Sequence, residues 1–141
     1  MSDPQFYGMQ QGDWFWHELM TPDADGAAAF YKAVLGWEVE AQDMGGFTYY
    51  LWRHRGRNHG GMMAMVGPEW EGVPPHWMVY MAVEDIDASK AAIEQAGGKI
   101  HHGPHEAPGV GRFVIAADPA GAMFALMQPS KEFKAQQGQG G

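Results

Sequence analysis

Glu18 is the residue that the sequence places best for chemistry, because it lies near the middle of an aromatic, strand-like run at residues 14–20. Side chains alternate between the two faces of a β-strand, so Trp14, Trp16 and Glu18 are predicted to share one face. Burial raises the pKa of a carboxyl group, which suits a general base or a polar anchor for a ligand. The pattern fits equally well a structural carboxylate that is hydrogen-bonded where two modules meet.

The chain has seven histidines that could supply metal ligands. His17 lies between Trp16 and Glu18, so alternation turns it to the opposite face, where a core or interface histidine is expected rather than a ligand. The other histidines are expected on solvated loops and rims: His54, His59, His76, His101, His102 and His105. A facial metal site needs two imidazoles and a carboxylate on one face. These positions do not predict such a site.

Composition and charge exclude several other kinds of protein. The 141 residues include no cysteine, which excludes disulfides, thiolate zinc sites and a cysteine nucleophile and favours a reducing compartment. The formal net charge is −8 and the basic residues form a single local cluster at 53–57, so nucleic-acid binding is not expected. No apolar run approaches the roughly 20 residues of a membrane span, and the N-terminus lacks the basic start of a secretion signal. We therefore expect a cytoplasmic protein without nucleic-acid or membrane partners.

The order of strand and helix found at residues 14–36 recurs further along the chain. The second strand-like run begins at Trp77, 63 residues after Trp14. In each copy an aspartate suits the N-cap of the helix and a glycine suits the residue that follows it. These residues are Asp23 and Gly36 in the first copy and Asp85 and Gly97 in the second. The repeat predicts an internal duplication of one module.

Each module is predicted to continue with three more strands. In the first module they are residues 37–42, 47–53 and 62–66, with a break at 58–61. In the second they are residues 99–102, 112–117 and 122–127, with a long loop at 103–111 and a turn at 118–121. The predicted organisation is an N-terminal arm at 1–13, a first βαβββ module at 14–66, a linker at 67–75, a second βαβββ module at 76–129 and a disordered tail at 130–141.

These features together resemble the vicinal oxygen chelate superfamily, which includes glyoxalase I, bleomycin-resistance proteins and extradiol dioxygenases. The resemblance lies in the entry helix and in the closing turn: Asp23, Phe30, Tyr31, Leu35, Gly36 and Trp37, then Asp118, Pro119 and Gly121. Residues 60–65, 73–77, 108–113 and 117–126 are similar to the bacterial glyoxalase-related group. The resemblance implies an α+β fold whose two modules form a curved mixed sheet, a half-barrel cup with helices outside and the ligand on its concave face.

The resemblance also implies a divalent metal, held by His or Gln on the first strand and Glu on the last strand of each module. Aligned on the entry helices, the two first-strand positions fall on Trp16 and Met78, and the last position of the second module falls on Ala125. Residues 60–65 offer no imidazole or carboxylate at the remaining position. A thioether is too soft for zinc or harder ions. These positions are therefore predicted to be vacated and no cofactor is expected, with a divalent metal on other residues left as the alternative.

Alternation predicts that the concave face is lined by Trp14, Trp16, Glu18, Met62 or Met63, Met78, Tyr80, Met123, Ala125 and Met127. Arg112 is a candidate partner for an anionic group, with a surface salt bridge as its other interpretation. We expect a metal-free small-molecule-binding protein that holds an aromatic or apolar ligand, to which methionines adapt. A metal-dependent lyase, isomerase or dioxygenase with unusual ligands such as Glu18, and an accessory protein that only associates, are the alternatives. A homodimer is left open.

Overall fold

The computed structural model describes residues 10–134, which fall into two compact units. The first unit comprises residues 16–78. Among the described residues, the second unit comprises 79–134 together with 10–15. Over this part of the chain, no helix is long and apolar enough to cross a bilayer.

The first unit is built from β1 (Trp14–Thr21), which starts two residues before it, α1 (Ala24–Leu35), β2 (Glu38–Asp43), β3 (Thr48–His54) and β4 (Arg57–Ala64). The strands are ordered β2-β3-β4-β1 in the sheet. β1 runs parallel to β4, whereas β3 is antiparallel to both of its neighbours. A short 3-10 turn, Pro68–Trp70, follows within the predicted linker.

The second unit repeats this order with β5 (His76–Ala82), whose first three residues belong to the first unit, α2 (Ile86–Gln95), β6 (Lys99–Ala107), β7 (Gly111–Ala117) and β8 (Met123–Pro129). Its strands are ordered β5-β8-β7-β6. β5 runs parallel to β8, and β7 is antiparallel to both β8 and β6. The predicted α+β fold of two tandem βαβββ modules, with a mixed sheet in each, is confirmed.

Both helices are capped by the residues that the sequence predicts. Asp23 Oδ1 accepts a hydrogen bond of 2.9 Å from the first turn of α1. Asp85 Oδ1 accepts two, of 3.1 and 3.2 Å, from the first turn of α2. Gly36 ends α1 with a φ of 77° and Gly97 follows α2 with a φ of 92°, conformations that glycine adopts without steric cost.

Each helix packs on one face of its own sheet. In the first unit, the buried cluster of Leu19, Trp52 and Met62 contacts small residues of α1. In the second unit, Val83, Ile86 and Val114 form the corresponding cluster. The sheet face that the helix covers is called the helix-facing side below, and the other face is called the open side.

The break predicted at residues 58–61 is wrong, because these residues belong to β4. The chain turns instead at Arg55 and Gly56, whose φ angles of 56° and 76° suit a two-residue hairpin loop. Gly60 and Gly61 are therefore strand residues. Glycine inside a strand often marks a close approach by another group, and a Cβ at either position would meet a neighbour.

The long loop predicted at residues 103–111 is also wrong, because β6 extends to Ala107. The pairing of β6 with β7 shifts register twice, between Ile100 and His102 and between His102 and His105. Such irregularities let a strand continue through residues that would otherwise end its pairing. The sequence suggested a loop because Gly103 and Pro104 are poor strand residues.

The described parts of the predicted arm and tail are structured. The N–H of Gly12 donates to Ala82 O at 2.8 Å, and the N–H of Ala82 donates to Asp13 O at 2.8 Å. Residues 131–134 form a helical turn, and the ring of Phe133 lies 5.5 Å from that of Phe15. The disordered tail predicted from residue 130 is therefore not found at 131–134. Residues 1–9 and 135–141 lie outside the described residues.

We predict that Asp85→Ala lowers the free energy of unfolding by about 1 kcal/mol, the usual effect of losing an N-cap side chain. Urea unfolding followed by circular dichroism measures the change. Glu84→Ala is the matched control, because it removes the same charge and leaves the backbone hydrogen bond of residue 84 to Gln11 in place. An equal loss in both variants would show that charge, and not capping, is responsible.

Candidate functional site

The open side of the first unit carries a chain of hydrogen bonds that passes through Tyr49. Trp16 Nε1–H donates to Tyr49 Oη at 2.9 Å, and the Tyr49 hydroxyl donates to Glu18 Oε2 at 2.7 Å. Glu18 is only 6% exposed. Buried polar groups are costly unless they are hydrogen-bonded, so the Tyr49 bond stabilises the carboxylate in this position. It also fixes two aromatic side chains beside it.

Gly61 allows Tyr49 to reach Glu18. β4 lies between β3, which carries Tyr49, and β1, which carries Glu18. Gly61 is directly opposite Glu18 in the register of β4 and β1. A Cβ at Gly61 would overlap the Tyr49 hydroxyl and ring. The tyrosine therefore crosses β4 over a position that has no side chain.

Sequence reasoning missed Tyr49. It is one of several aromatic residues at 47–52, and nothing in its immediate neighbours distinguishes it. The available signal was the glycine pair at 60–61. If these glycines are assigned to a strand, they indicate that another group approaches the strand closely at this point.

Met62 was assigned to the wrong face. It lies opposite Leu19 in the register of β4 and β1, and both pack against α1 on the helix-facing side. Met62 is fully buried there. Met63, which the sequence left as the alternative, takes the open side, opposite Met20.

Met78 and Trp14 differ strongly in burial. Met78 is buried, and its neighbour Trp77 packs against Trp37 and Trp52 on the helix-facing side, so alternation turns Met78 to the open side. Trp14, the first residue of β1, is 64% exposed.

In the second unit, Tyr80, Met123 and Ala125 share the open side, as alternation predicts. Tyr80 lies opposite Ala125 in the pairing of β5 with β8, and Met123 precedes Ala125 by two residues. Tyr80 and Ala125 are buried, whereas Met123 is 46% exposed. The Tyr80 ring lies 6.4 Å from that of Phe113.

Arg112 lies on the helix-facing side, because it shares the alternation of Val114, which packs under α2. Its Nη1 is 3.1 Å from Asp87 Oδ2 in the first turn of α2. The hydrogen bond to Asp87 raises the pKa of the Arg112 guanidinium. The structure therefore supports the surface salt bridge and not a place on the open side.

The residues at the inherited metal positions do not fit a divalent ion. The Trp16 indole is a hydrogen-bond donor to Tyr49, while Met78 and Ala125 offer neither oxygen nor imidazole in their side chains. Within residues 10–134, no three His, Asp or Glu side chains are grouped to hold a metal. The open side of the first unit instead offers one buried carboxylate with two aromatic donors.

The fold changes the pKa of the His59 side chain. Its ring lies 4.4 Å from that of Trp37. Burial lowers the pKa of His59 below its ordinary value, and the charges of His54 and His17 lower it further. His17 lies with Trp37 and His59 on the helix-facing side, as alternation predicts. The neutral form of the His59 imidazole therefore predominates at neutral pH.

Comparison with known proteins gives a consistent family. A family model described as "Glyoxalase/Bleomycin resistance protein/Dioxygenase superfamily" matches residues 15–126. "Putative glyoxylase CFP32" of Mycobacterium tuberculosis (strain CDC 1551 / Oshkosh) is 38% identical over 124 residues, which cover 87% of this chain and 46% of that protein. The anthracycline biosynthesis protein DnrV of Streptomyces peucetius is 33% identical over 129 residues, which cover 79% of this chain and 45% of that protein. The chain thus spans about half the length of the curated relatives it matches.

Solved structures with a similar fold include methylmalonyl-CoA epimerases. The enzyme from Mycobacterium tuberculosis has a TM-score of 0.59 and 17% identity, and the match covers 91% of this chain and 95% of that one. A variant from Streptomyces coelicolor, in complex with 2-nitronate-propionyl-CoA, has a TM-score of 0.58 and 17% identity, with 88% and 97% covered. At this identity the likeness concerns the fold alone.

We predict that Gly61→Ala lowers the free energy of unfolding far more when Tyr49 is present than when it is absent. The added methyl group collides with the Tyr49 side chain, so Tyr49→Ala should remove most of its effect. A double-mutant cycle measured by urea unfolding should give a coupling of more than about 1 kcal/mol between the two positions. Additive effects would show that Gly61 is needed for some other reason.

We also predict that His59 makes the protein less stable as the pH falls. Its folded-state pKa lies below the ordinary value of 6.5, so the unfolded chain binds the proton more readily and acid favours unfolding. His59→Gln should therefore lose less unfolding free energy than the wild type between about pH 7 and pH 5. His54→Gln is the control and should keep most of the wild-type loss, because burial is the larger cause. Equal losses in wild type and His59→Gln would contradict the prediction.

Proposed function

The chain belongs to the glyoxalase/bleomycin resistance protein/dioxygenase superfamily, and we propose that it binds a small aromatic or apolar molecule on the open side of the first unit. The Tyr49 bridge between Trp16 and the buried Glu18 carboxylate carries this proposal. Ligand sites commonly combine apolar and aromatic walls with a few well-placed polar groups. The bridge supplies both.

The walls of the proposed site are aromatic and thioether side chains. Trp16 and Tyr49 present flat surfaces whose positions are set by their hydrogen bonds. Met20 and Met63 lie opposite each other in register on the same side of the sheet. Methionine is flexible and makes favourable contacts with aromatic rings. Such walls suit a flat apolar ligand.

Glu18 is proposed as the polar anchor of the ligand. A carboxylate offers about four lone-pair sites, so it can accept from Tyr49 and from a ligand N–H or O–H at the same time. If the protein is an enzyme, the same carboxylate is the candidate general base, since it would lie within reach of that proton. No step is proposed through a metal, because the donor set on this face does not fit one.

Two relatives support an aromatic ligand and a binding role. One is an anthracycline biosynthesis protein, and anthracyclines are flat, fused-ring molecules. Another has the name of a glyoxylase, which keeps an enzymatic role open. Because this chain spans about half of each relative, the activity of those whole proteins is not transferred to it. A cytoplasmic location and a homodimer, with no nucleic-acid or membrane partner, also remain proposals.

We predict that 2-naphthol, which has an O–H donor for Glu18, binds more tightly than 2-methoxynaphthalene, which has none. Binding is followed by the indole N–H resonances in ¹H–¹⁵N spectra, with Trp16 expected to shift. Glu18→Gln should weaken 2-naphthol binding by about tenfold, the usual scale for a hydrogen bond to a charged group. Glu40→Gln is the matched control, because Glu40 is exposed on β2.

Elemental analysis and a chelator separate this proposal from metal-dependent chemistry. Binding of 2-naphthol should be unchanged by EDTA. About one metal ion retained per chain, together with loss of binding in EDTA, would overturn the proposal in favour of a metal-dependent lyase, isomerase or dioxygenase. An unshifted Trp16 resonance at every naphthol concentration would remove the open side as the site.

A further inference from the structure

A separate cavity lies on the helix-facing side of the first unit. Its volume is about 320 Å³, and it is lined by His17, Trp37, Trp52, His59, Gly60 and Trp77. His17 lies between Trp16 and Glu18 in β1, so alternation places the cavity on the opposite face of the sheet from the Tyr49 bridge. The cavity is therefore distinct from the site proposed above.

Two residues that line the cavity carry buried polar side-chain atoms. Trp52 Nε1 and His59 Nε2 have no hydrogen-bond partner within residues 10–134. Trp52 is fully buried, and both residues line the cavity. Most buried polar side-chain atoms in proteins are hydrogen-bonded, so a pair left unsatisfied around one cavity calls for an explanation. Both atoms are closed to solvent in this structure, so a molecule in the cavity that offers an acceptor would supply it once the side chains that cover them shift.

Several of the aromatic walls of the cavity are positioned by contacts with other side chains. Trp77 Nε1–H donates to the Tyr31 hydroxyl at 3.2 Å, and Tyr31 stacks on Trp37 with ring centroids 5.6 Å apart. His59 meets Trp37 edge to face at 4.4 Å. A site with positioned walls loses little conformational entropy on binding.

Gly60 keeps the base of the cavity open. A Cβ at this position would lie 2.9 Å from the carbonyl oxygen of His17 and 3.5 Å from the Trp52 ring. Trp77 is 39% exposed and His17 is exposed, so both lie at the entrance. The cavity is thus open to solvent on the side of Trp77 and His17.

We propose that this cavity binds a small aromatic molecule through an acceptor oxygen that takes hydrogen bonds from Trp52 Nε1–H and His59 Nε2–H. Three indole rings form apolar walls that favour a flat ring. The indole N–H can only donate, and a neutral imidazole with its proton on Nε2 also donates. The volume is at the lower end of the roughly 300–1,000 Å³ of small-molecule sites, which selects a single substituted ring over a fused-ring compound.

The test compares three probes of similar size by the indole N–H resonances in ¹H–¹⁵N spectra. 4-Fluoroacetophenone has both a ring and an acceptor oxygen, 1-ethyl-4-fluorobenzene lacks the oxygen, and cyclohexyl methyl ketone lacks the aromatic ring. 4-Fluoroacetophenone should shift the Trp52 resonance downfield, together with those of Trp37 and Trp77, while Trp16 stays unchanged. 1-Ethyl-4-fluorobenzene should bind at least about fivefold more weakly, the scale of one lost hydrogen bond. Cyclohexyl methyl ketone should also bind more weakly, because it loses the aromatic contacts with the indole rings.

Two variants and one control tie the binding to the cavity. Trp52→Phe removes the donor and keeps a ring, and Trp77→Leu removes a wall at the exposed entrance, where the fold tolerates change best. Both variants should bind 4-fluoroacetophenone at least about fivefold more weakly than the wild type does. Trp70→Phe is the matched control, because Trp70 belongs to the same unit and does not line the cavity. The ¹H–¹⁵N spectrum of each variant also reports on whether it is folded.

Three outcomes would overturn the proposal. The first is that no probe shifts the resonances of Trp37, Trp52 and Trp77, which would mean that the cavity holds water only. The second is that 4-fluoroacetophenone and 1-ethyl-4-fluorobenzene bind equally well. The third is that Trp77→Leu binds 4-fluoroacetophenone as tightly as the wild type does. A different result would contradict the open-side proposal, namely that 2-naphthol leaves the Trp16 resonance unshifted. The two proposals can therefore fail independently.

Discussion

The register between β1 and β4 is the constraint on which the first unit depends. It pairs Glu18 with Gly61 and Leu19 with Met62, and so assigns each side chain of both strands to one face. A slip by one residue would turn the carboxylate of Glu18 toward α1 and move Leu19 out of the apolar cluster. Burying a carboxylate in an apolar environment is costly. The packing under the helix therefore holds the polar residues of the opposite face in position.

The two faces of this sheet treat buried polar groups differently. On the open side, the Tyr49 hydroxyl accepts from Trp16 and donates to Glu18, so the three side chains stabilise one another. On the helix-facing side, Trp52 Nε1 and His59 Nε2 have no such partner within the part of the chain that the structure describes. An unsatisfied buried group costs about 1–3 kcal/mol. A fold retains such groups most readily where something else binds them.

Sequence signals between near neighbours predicted much of the fold. Asp23 and Asp85 cap the helices as expected, and the repeated order of elements identified both modules. Features that depend on distant strands were missed. Arg55 turns the chain in a left-handed conformation that favours glycine, so β4 begins earlier than expected and the face of Met62 was misjudged. The contact of Tyr49 with Glu18 crosses an intervening strand, which no local pattern records.

Gly60 and Gly61 are neighbours in β4, yet each clears space on a different surface. A side chain at Gly60 would press on the backbone of His17, and one at Gly61 would displace Tyr49. Because alternation turns the two positions to opposite faces of the sheet, each of them affects a different face. A substitution at one of the two positions can therefore alter the surface on its own face of the sheet and leave the other face unchanged.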